Sequence, residues 1–315
     1  MKIFKNKVSF IIATKNRPDE LARLLESFRA QSYHPDHIII VDAGNRPVKD
    51  LITGFQDLNI RYEKSPVASA AKQRNIGLKI LPAGVDLVGF LDDDIVLEPD
   101  ALELMMEFWE GAGKETGGVA FNIVNIAERQ FAWLKSWPLV EKLGLYSAAK
   151  GKVLPSGFHT MIGRVSSLVE AEWIPACAAV WRRDIFDEFK FDEWFTGYSY
   201  LEDLDFSYRV GKKYKILVLG RPKCYHYSSG QEREGRYLFG KKEILNRIYF
   251  VKKNQELSLF KCYLALWMRM LITLANLFSN SEKNCIQRIL GNISGMILSM
   301  RKEIFVINRG MSLEE

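Results

Sequence analysis

Cysteine is scarce in this chain: Cys177, Cys224, Cys262 and Cys285 are the four, far apart and without a CxxC pair. That spacing excludes a zinc ribbon and a disulfide framework, and a reducing cytosol is the expected compartment. The 10 prolines and 22 glycines form no repeat or low-complexity tract, and 48% of the 315 residues are hydrophobic, which excludes a disordered or fibrous protein. No apolar run of spanning length is free of charge. Leu257 to Phe278 contains Lys261 and Arg269, each costing about 2.5–3.5 kcal/mol at a bilayer centre. Lys2, Lys5 and Lys7 precede only Val8 to Ala13 before polar residues return, which is short for a signal peptide and reads as a buried strand. Lys and Arg number 44 against 38 Asp and Glu, a surplus of +6 that suits an anionic partner. No contiguous basic stripe accompanies it, so nucleic acid is not expected.

What is present is an alternation. Val8 to Ala13, Ile38 to Val41, Val85 to Leu91 and Val119 to Val124 are short apolar runs bounded by polar residues, as in parallel strands covered on both faces. Pro18 opens a helix with Asp19 and Glu20 in its first turn and Leu21, Leu24, Leu25 and Phe28 on one face. Further helices are expected over 69–81 and 99–109, the second with Leu102, Met105, Met106 and Trp109 on one face and Asp100 as its cap. Lys215 to Leu219 reads as a last strand. Residues 125–172, with Trp133, Trp137, Phe158 and His159, read as a loop over a cleft or a surface insertion. From about Tyr237 the pattern is helical. The fold class is α/β, a doubly wound sheet with a C-terminal helical extension.

In such sheets ligands lie at the carboxyl ends of the strands, and those ends are polar here: Thr14, Asn16 and Arg17 after the first strand, Asp42 after the second, and Asp92-Asp93-Asp94 after the third apolar run. Three successive carboxylates need a cation or hydrogen-bond donors, and a hard divalent ion, Mg²⁺ or Mn²⁺, answers that need. A second acidic pair, Glu202-Asp203, precedes a helical stretch. It either favours the helix N-terminus or accepts a proton from a hydroxyl. Cys177 sits among Ala176, Ala178 and Ala179 and reads as inert packing, while His34, His37 and His159 have no partner spacing.

Seven segments occur in a recognisable order: VSFIIATKNRPDEL from Val8, IIIVDAGN from Ile38, AKQRNIGL from Ala71, VGFLDDDIVLEPDAL from Val88, IPACAAVWRRDIFDEFKFDEWF from Ile174, YLEDLDFSYRV from Tyr200 and YHYSSG from Tyr225. The ordered set resembles the family 2 glycosyltransferases. The resemblance implies a GT-A fold, with a nucleotide-binding half over about 1–125, an acceptor half over about 126–250, and a helical segment over 251–315. It implies that Thr14, Asn16, Arg17, Asp42, Arg74, Asn75, Asp92 and Asp93 face the nucleotide sugar. Asp92 and Asp94 would be the DxD pair, with His226 completing the metal sphere, and Asp203 the catalytic base beside Glu202. Two positions depart from the pattern: Asp42-Ala43-Gly44-Asn45 stands where Asp-Asp-Gly-Ser is common, and Lys72 where a small residue is usual.

The implied activity is inverting, metal-dependent transfer of a hexosyl or deoxyhexosyl group from a UDP- or dTDP-linked donor to a saccharide or lipid-linked acceptor in surface-polysaccharide synthesis, at the cytoplasmic face of a membrane. The rival readings are a sugar-nucleotide nucleotidyltransferase, which lacks its Gly-rich phosphate loop here, and a non-enzymatic protein binding anionic surfaces. Lys261 and Arg269 lie eight residues apart, about 80° around a helix, which gives the C-terminal helix a cationic side for headgroups; peripheral membrane contact is the expectation, with packing on the domain or an oligomer surface as the other readings.

Overall fold

Alternate residues of the first apolar runs enter opposite layers, and this builds the sheet. The computed structural model describes residues 2–126, 141, 144, 147–227, 235–276 and 285–301. In β1 (Val8–Thr14), Phe10 and Ile12 join one core while Ile11 joins the other; in β2 (His37–Asp42), Ile38 and Ile40 part from Ile39 and Val41 in the same way. Strands buried on both faces read as continuous apolar runs, which is why these were visible in the sequence. The other strands are β3 (Ile60–Lys64), β4 (Leu87–Asp92), β5 (Ile95–Leu97), β6 (Thr116–Ile123), β7 (Val169–Ala171), β8 (Ala178–Arg182) and β9 (Lys215–His226). Their order is β3-β2-β1-β4-β8-β6-β9-β5, with β7 paired to β9.

The left half of that order is parallel, as expected; β8 then runs antiparallel to both β4 and β6. β3, β5, β7 and β8 were not foreseen. β3 is a half-buried edge with the polar sequence IRYEK, and β8 is rich in alanine, so neither carries an apolar β-branched signal. β9 runs past Leu219, where the sequence reading ends it. Pro222 falls where the β6 register shifts between Ala120 and Asn122, and such an irregularity tolerates a residue without an N–H. The extension carries the chain to His226.

Helix α1 (Pro18–Arg29) has Pro at its start, Asp19 and Glu20 in the first turn and Arg29 in the last. Its Leu21, Leu24, Leu25 and Phe28 are fully buried, at about 1.5–3 kcal/mol each. The rest of this layer system comprises α2 (Lys49–Ile52), α3 (Ala70–Lys79), α4 (Ala101–Gly111), α5 (Ile185–Glu188) and α6 (Glu202–Gly211). Asp100 stands at the N-cap of α4, but its side chain makes no capping hydrogen bond.

The chain forms two compact units. The first, Met1–Glu128, Ile162–Glu193 and Glu202–Ser229, holds the whole sheet. The second comprises Arg129–Met161, Trp194–Leu201 and Gly230–Glu315. Its helices are α7 (Arg236–Lys253), α8 (Leu259–Asn276) and α9 (Cys285–Ser299). α7 and α9 meet backbone to backbone: a Cβ on Gly291 would lie 2.0 Å from the Tyr237 carbonyl oxygen, and one on Gly240 2.2 Å from that of Arg288. Glu243 of α7 lies between them, accepting from Arg288 at 2.8 and 3.1 Å and from Asn292 at 3.2 Å, with Arg269 of α8 at 3.5 Å. Arg269 therefore faces the protein, and the cationic side expected of Lys261 and Arg269 together does not form. Among the described residues no helix is long and apolar enough to cross a membrane. Of the expected loop, Trp133 and Trp137 lie outside the described residues, while Phe158 and His159 belong to the second unit and cradle Arg247.

Candidate functional site

β1 and β4 are paired so that Ala13 stands beside Asp92, which puts Thr14 and Arg17 against the acidic turn that joins β4 to β5. The chain itself supplies the neutralising donors. Arg17 donates to Asp93 through one terminal nitrogen and to Asp94 Oδ2 at 2.9 Å through the other, and Thr14 Oγ1 donates to Asp93 Oδ2 at 2.8 Å. Arg74, buried in α3, donates to Asp92 Oδ1 at 2.8 Å and to Glu202 at the start of α6, with its guanidinium 5.3 Å over the Phe191 ring. Two arginines thus serve five carboxylates: Asp92, Asp93, Asp94, Glu202 and Asp203.

The imbalance appears in their acidities. Burial pushes Asp93 up to about 7, against the pull of Arg17 and with the help of Asp94. Burial likewise raises Glu202 to about 8, because Arg74 is shared with Asp92 and Asp203 adds repulsion. Asp203 is raised by burial as well, while the N–H of Leu204, 2.7 Å from its Oδ1, works the other way. The two neighbours therefore differ. Glu202 is buried and bound to a guanidinium, whereas Asp203 is partly exposed and holds a backbone donor.

His226 reaches this cluster through the length of β9, whose pairing puts it opposite Ile95; the Tyr227 N–H donates to the Asp94 carbonyl at 2.9 Å. His226 Nε2 lies 3.0 Å from Asp94 Oδ1, and one ligand atom each from Asp92, Asp94 and His226 fall within 4.8 Å of one another. Two carboxylate oxygens and an imidazole nitrogen are a donor set suited to a divalent metal ion. Asn125, absent from the sequence reading, clamps the His226 backbone, accepting its N–H at 2.8 Å and donating to its carbonyl at 3.1 Å.

Three of the sequence-derived residues hold the framework instead of joining the cluster. Asp42 is fully buried and accepts from Gly44 N at 2.7 Å, Val48 N at 3.3 Å and the Tyr62 hydroxyl at 3.1 Å. Asn16, at φ 54°, accepts from the N–H groups of Asn45 and Arg46, tying the loop after β1 to the loop after β2. Asn75 turns away from its neighbour Arg74 and makes three hydrogen bonds to Phe191 and Glu193. Gln73, which sequence reasoning passed over, donates to the carbonyls of Thr14 and Val41 and locks the two strand ends together. Its signal was present in the Gln-Arg-Asn triplet, one position before the arginine. Lys64 and Tyr62 on β3 also reach Asp42, and they were missed with their strand. Burial raises the Cys177 thiol well above its ordinary value, in keeping with inert packing.

Comparison with known proteins identifies the family and the fold. The profile of glycosyl transferase family 2 matches residues 9–173. The chain is 31% identical over 251 residues to the glycosyltransferase YwdF of Bacillus subtilis, covering 77% of this chain and 82% of that protein. It is 35% identical over 98 residues to the galactofuranosyltransferase GlfT1 of Mycobacterium tuberculosis, and there spans only 29% of the relative's length. A crystal structure of S. aureus TarS 1–349 in complex with UDP-GlcNAc superposes with a TM-score of 0.54 at 15% identity, covering 77% of this chain and 66% of that one. This last likeness is one of fold, and it bears out the α/β GT-A architecture with a helical C-terminal region. With the family profile matched over more than half of its residues, and a relative aligned over most of its own length, the chain belongs to glycosyl transferase family 2.

Proposed function

We propose that this protein moves a glycosyl group from a nucleotide-diphosphate sugar, UDP- or dTDP-linked, to a saccharide hydroxyl with inversion at the anomeric carbon. The observation that carries the reading is the division of labour between the adjacent carboxylates: Arg74 occupies Glu202 and leaves Asp203 as the partly exposed one. Asp203 takes the proton of the attacking hydroxyl, as a general base held close to its target does. Its raised pKa makes it the stronger base for that work. Direct displacement on the face opposite the diphosphate inverts the anomeric carbon.

Asp92, Asp94 and His226 would hold the divalent ion. When bound, such an ion supplies positive charge to the leaving diphosphate. Arg17 and Arg74 hold the acidic turn in register, and Thr14 fixes Asp93 through its hydroxyl. GlfT1, a galactofuranosyltransferase, and TarS with its UDP-GlcNAc support a nucleotide-sugar donor. The acceptor we assign is a saccharide carried on a lipid, met at the cytoplasmic face of a membrane with peripheral contact through the C-terminal helices.

Thermal stabilisation by UDP, dTDP and GDP, each with and without Mn²⁺, identifies the nucleotide by mass action. Release of that nucleoside diphosphate from its sugar conjugates, with and without saccharide acceptors, then measures transfer. A diphosphate that stabilises only with Mn²⁺ and is released on acceptor addition is the expected result. No stabilisation by any of the three, with no release, would overturn the reading.

A further inference from the structure

Ten of the seventeen large apolar side chains that stand exposed among the described residues lie between Leu259 and Met300, in the second unit. They are ordered. On α8, Phe260, Trp267, Leu271 and Leu274 are 78, 55, 62 and 45% exposed and follow one another at intervals of seven, four and three. On α9, Ile286, Leu290, Ile293 and Ile297 repeat at four, three and four. Residues three and four apart share a helix face, so each helix presents one continuous apolar stripe outward. The opposite side of α8, with Cys262, Leu266 and Met270, is buried, and it carries Arg269 inward to Glu243. The outward stripes therefore contain no cation, contrary to what spacing alone suggested.

The charge around these stripes decides what covers them. Residues 236–301 contain eleven Lys and Arg against three Asp and Glu, so they alone carry more positive charge than the +6 of the whole chain. The remainder of the protein is slightly acidic. Lys252, Lys253 and Arg301 are exposed and Lys261 is partly so. The Tyr263 and Ser299 hydroxyls, 3.1 Å apart, bring the start of α8 to the end of α9, so these four cations collect at one end of the pair, with Glu256 the nearby exposed acid. A second copy of the chain would set this basic end against a surface of the same sign, which disfavours self-association. An anionic bilayer is complementary to both features at once, accepting the stripes at the acyl boundary and the lysines at the headgroups.

We infer that α8 and α9 form a docking face for anionic lipid, on which the helices lie without spanning. The inference uses the second unit alone and stands whether or not the sugar-transfer reading does.

Co-sedimentation of the full-length protein with vesicles of phosphatidylcholine, and with vesicles containing one-third phosphatidylglycerol, tests it. The wild type is expected to pellet with the anionic vesicles at least about tenfold better than with the neutral ones, with a blue shift in tryptophan emission that Trp267→Phe abolishes. Trp267→Glu with Leu271→Glu should lose binding by at least about tenfold, since two exposed side chains no longer enter the acyl boundary. Lys252→Glu with Lys253→Glu should lose the preference for anionic lipid. Ile293→Glu on α9 repeats the apolar test should the double α8 variant melt early. Nucleoside diphosphate stabilisation should be the same in all of them. Absence of pelleting, or equal pelleting of wild type and variants, would overturn the inference. So would light scattering that shows a dimer split by the same apolar variants, which would assign the stripes to a second copy.

Discussion

Among the described residues each unit holds a buried group of carboxylate and arginine side chains, and the two are balanced in opposite ways. At the β4 end and the start of α6, Asp92, Asp93, Asp94 and Glu202 pair with Arg17 and Arg74 while Asp203 stands beside them, and burial lifts Asp93 and Glu202 to about 7 and about 8. Between the helices a single carboxylate, Glu243, meets Arg288, Arg269 and Asn292; burial opposes its charge, yet these partners hold its pKa below the ordinary 4.5. Surplus negative charge kept out of water is unfavourable for the free protein and favourable for a cation that arrives later. A closed ion network does nothing further but hold helices in place. The ratio of acids to guanidiniums, more than the presence of buried charge, separates a site from a staple.

The largest break in that comparison is expected at Asp203. Asp203→Asn should leave nucleotide binding intact and reduce transfer by about 10²–10⁴-fold, measured as initial rate at saturating donor. Near wild-type turnover would move the base elsewhere.

Next in size is Glu243→Gln, which leaves Arg288 and Arg269 facing each other without a carboxylate. A loss of about 3 kcal/mol in denaturant unfolding is expected, the lower end for a broken buried pair because Arg269 is partly exposed. Asp94→Asn supplies the contrast. It should weaken Mn²⁺-dependent nucleotide stabilisation by about 10–100-fold, yet leave the melting temperature of the free protein undiminished, because one repulsive charge has gone. If both neutralisations cost the same stability, the distinction between the clusters fails.

The smallest effect is on pH dependence, where the two units should respond with opposite sign. Glu202 is raised from 4.5 to about 8, so its contribution is fully present below 4.5 and is lost as pH rises through about 8. Glu243 is lowered, so its contribution is present above 4.5 and is lost as pH falls through its folded value. Hydrogen exchange read separately over α6 and α7 should show protection falling toward pH 8 in the first and toward acid pH in the second. Glu202→Gln should shrink the alkaline slope to the share of Asp93 and Asp203 and leave the acid slope unchanged.

Much of the first unit was legible without coordinates, because strands buried on both faces must be apolar throughout and α1 must bury a face at helical spacing. Phe10, Ile38, Leu24 and Phe28 say so directly. The acidic turn was equally visible, since Asp92-Asp93-Asp94 at a strand end has few structural excuses. β3 and β8 were invisible for the converse reason: an edge strand and an alanine-rich strand place little apolar surface in the sequence record. Chemical type alone says less. Asn75 and Asn16 have the side chains a ligand site uses, and within the chain their hydrogen bonds go to loop backbones and to Glu193.

The sequence by itself determined the parallel β1, β2 and β4 core, the helix that begins at Pro18, the order of the family segments and the residue types gathered at the strand ends, because local periodicity and turn chemistry act over a few residues. Tertiary structure decided which donors meet which carboxylates. Arg74 and Glu202 are 128 positions apart, and Arg17 and Asp94 are 77. His226 reaches Asp94 only because β9 continues past Pro222. Arg269 faces inward because Glu243 waits there, which leaves the outer sides of α8 and α9 apolar. Contacts of such separation are fixed by how layers pack, and no window of sequence contains both partners.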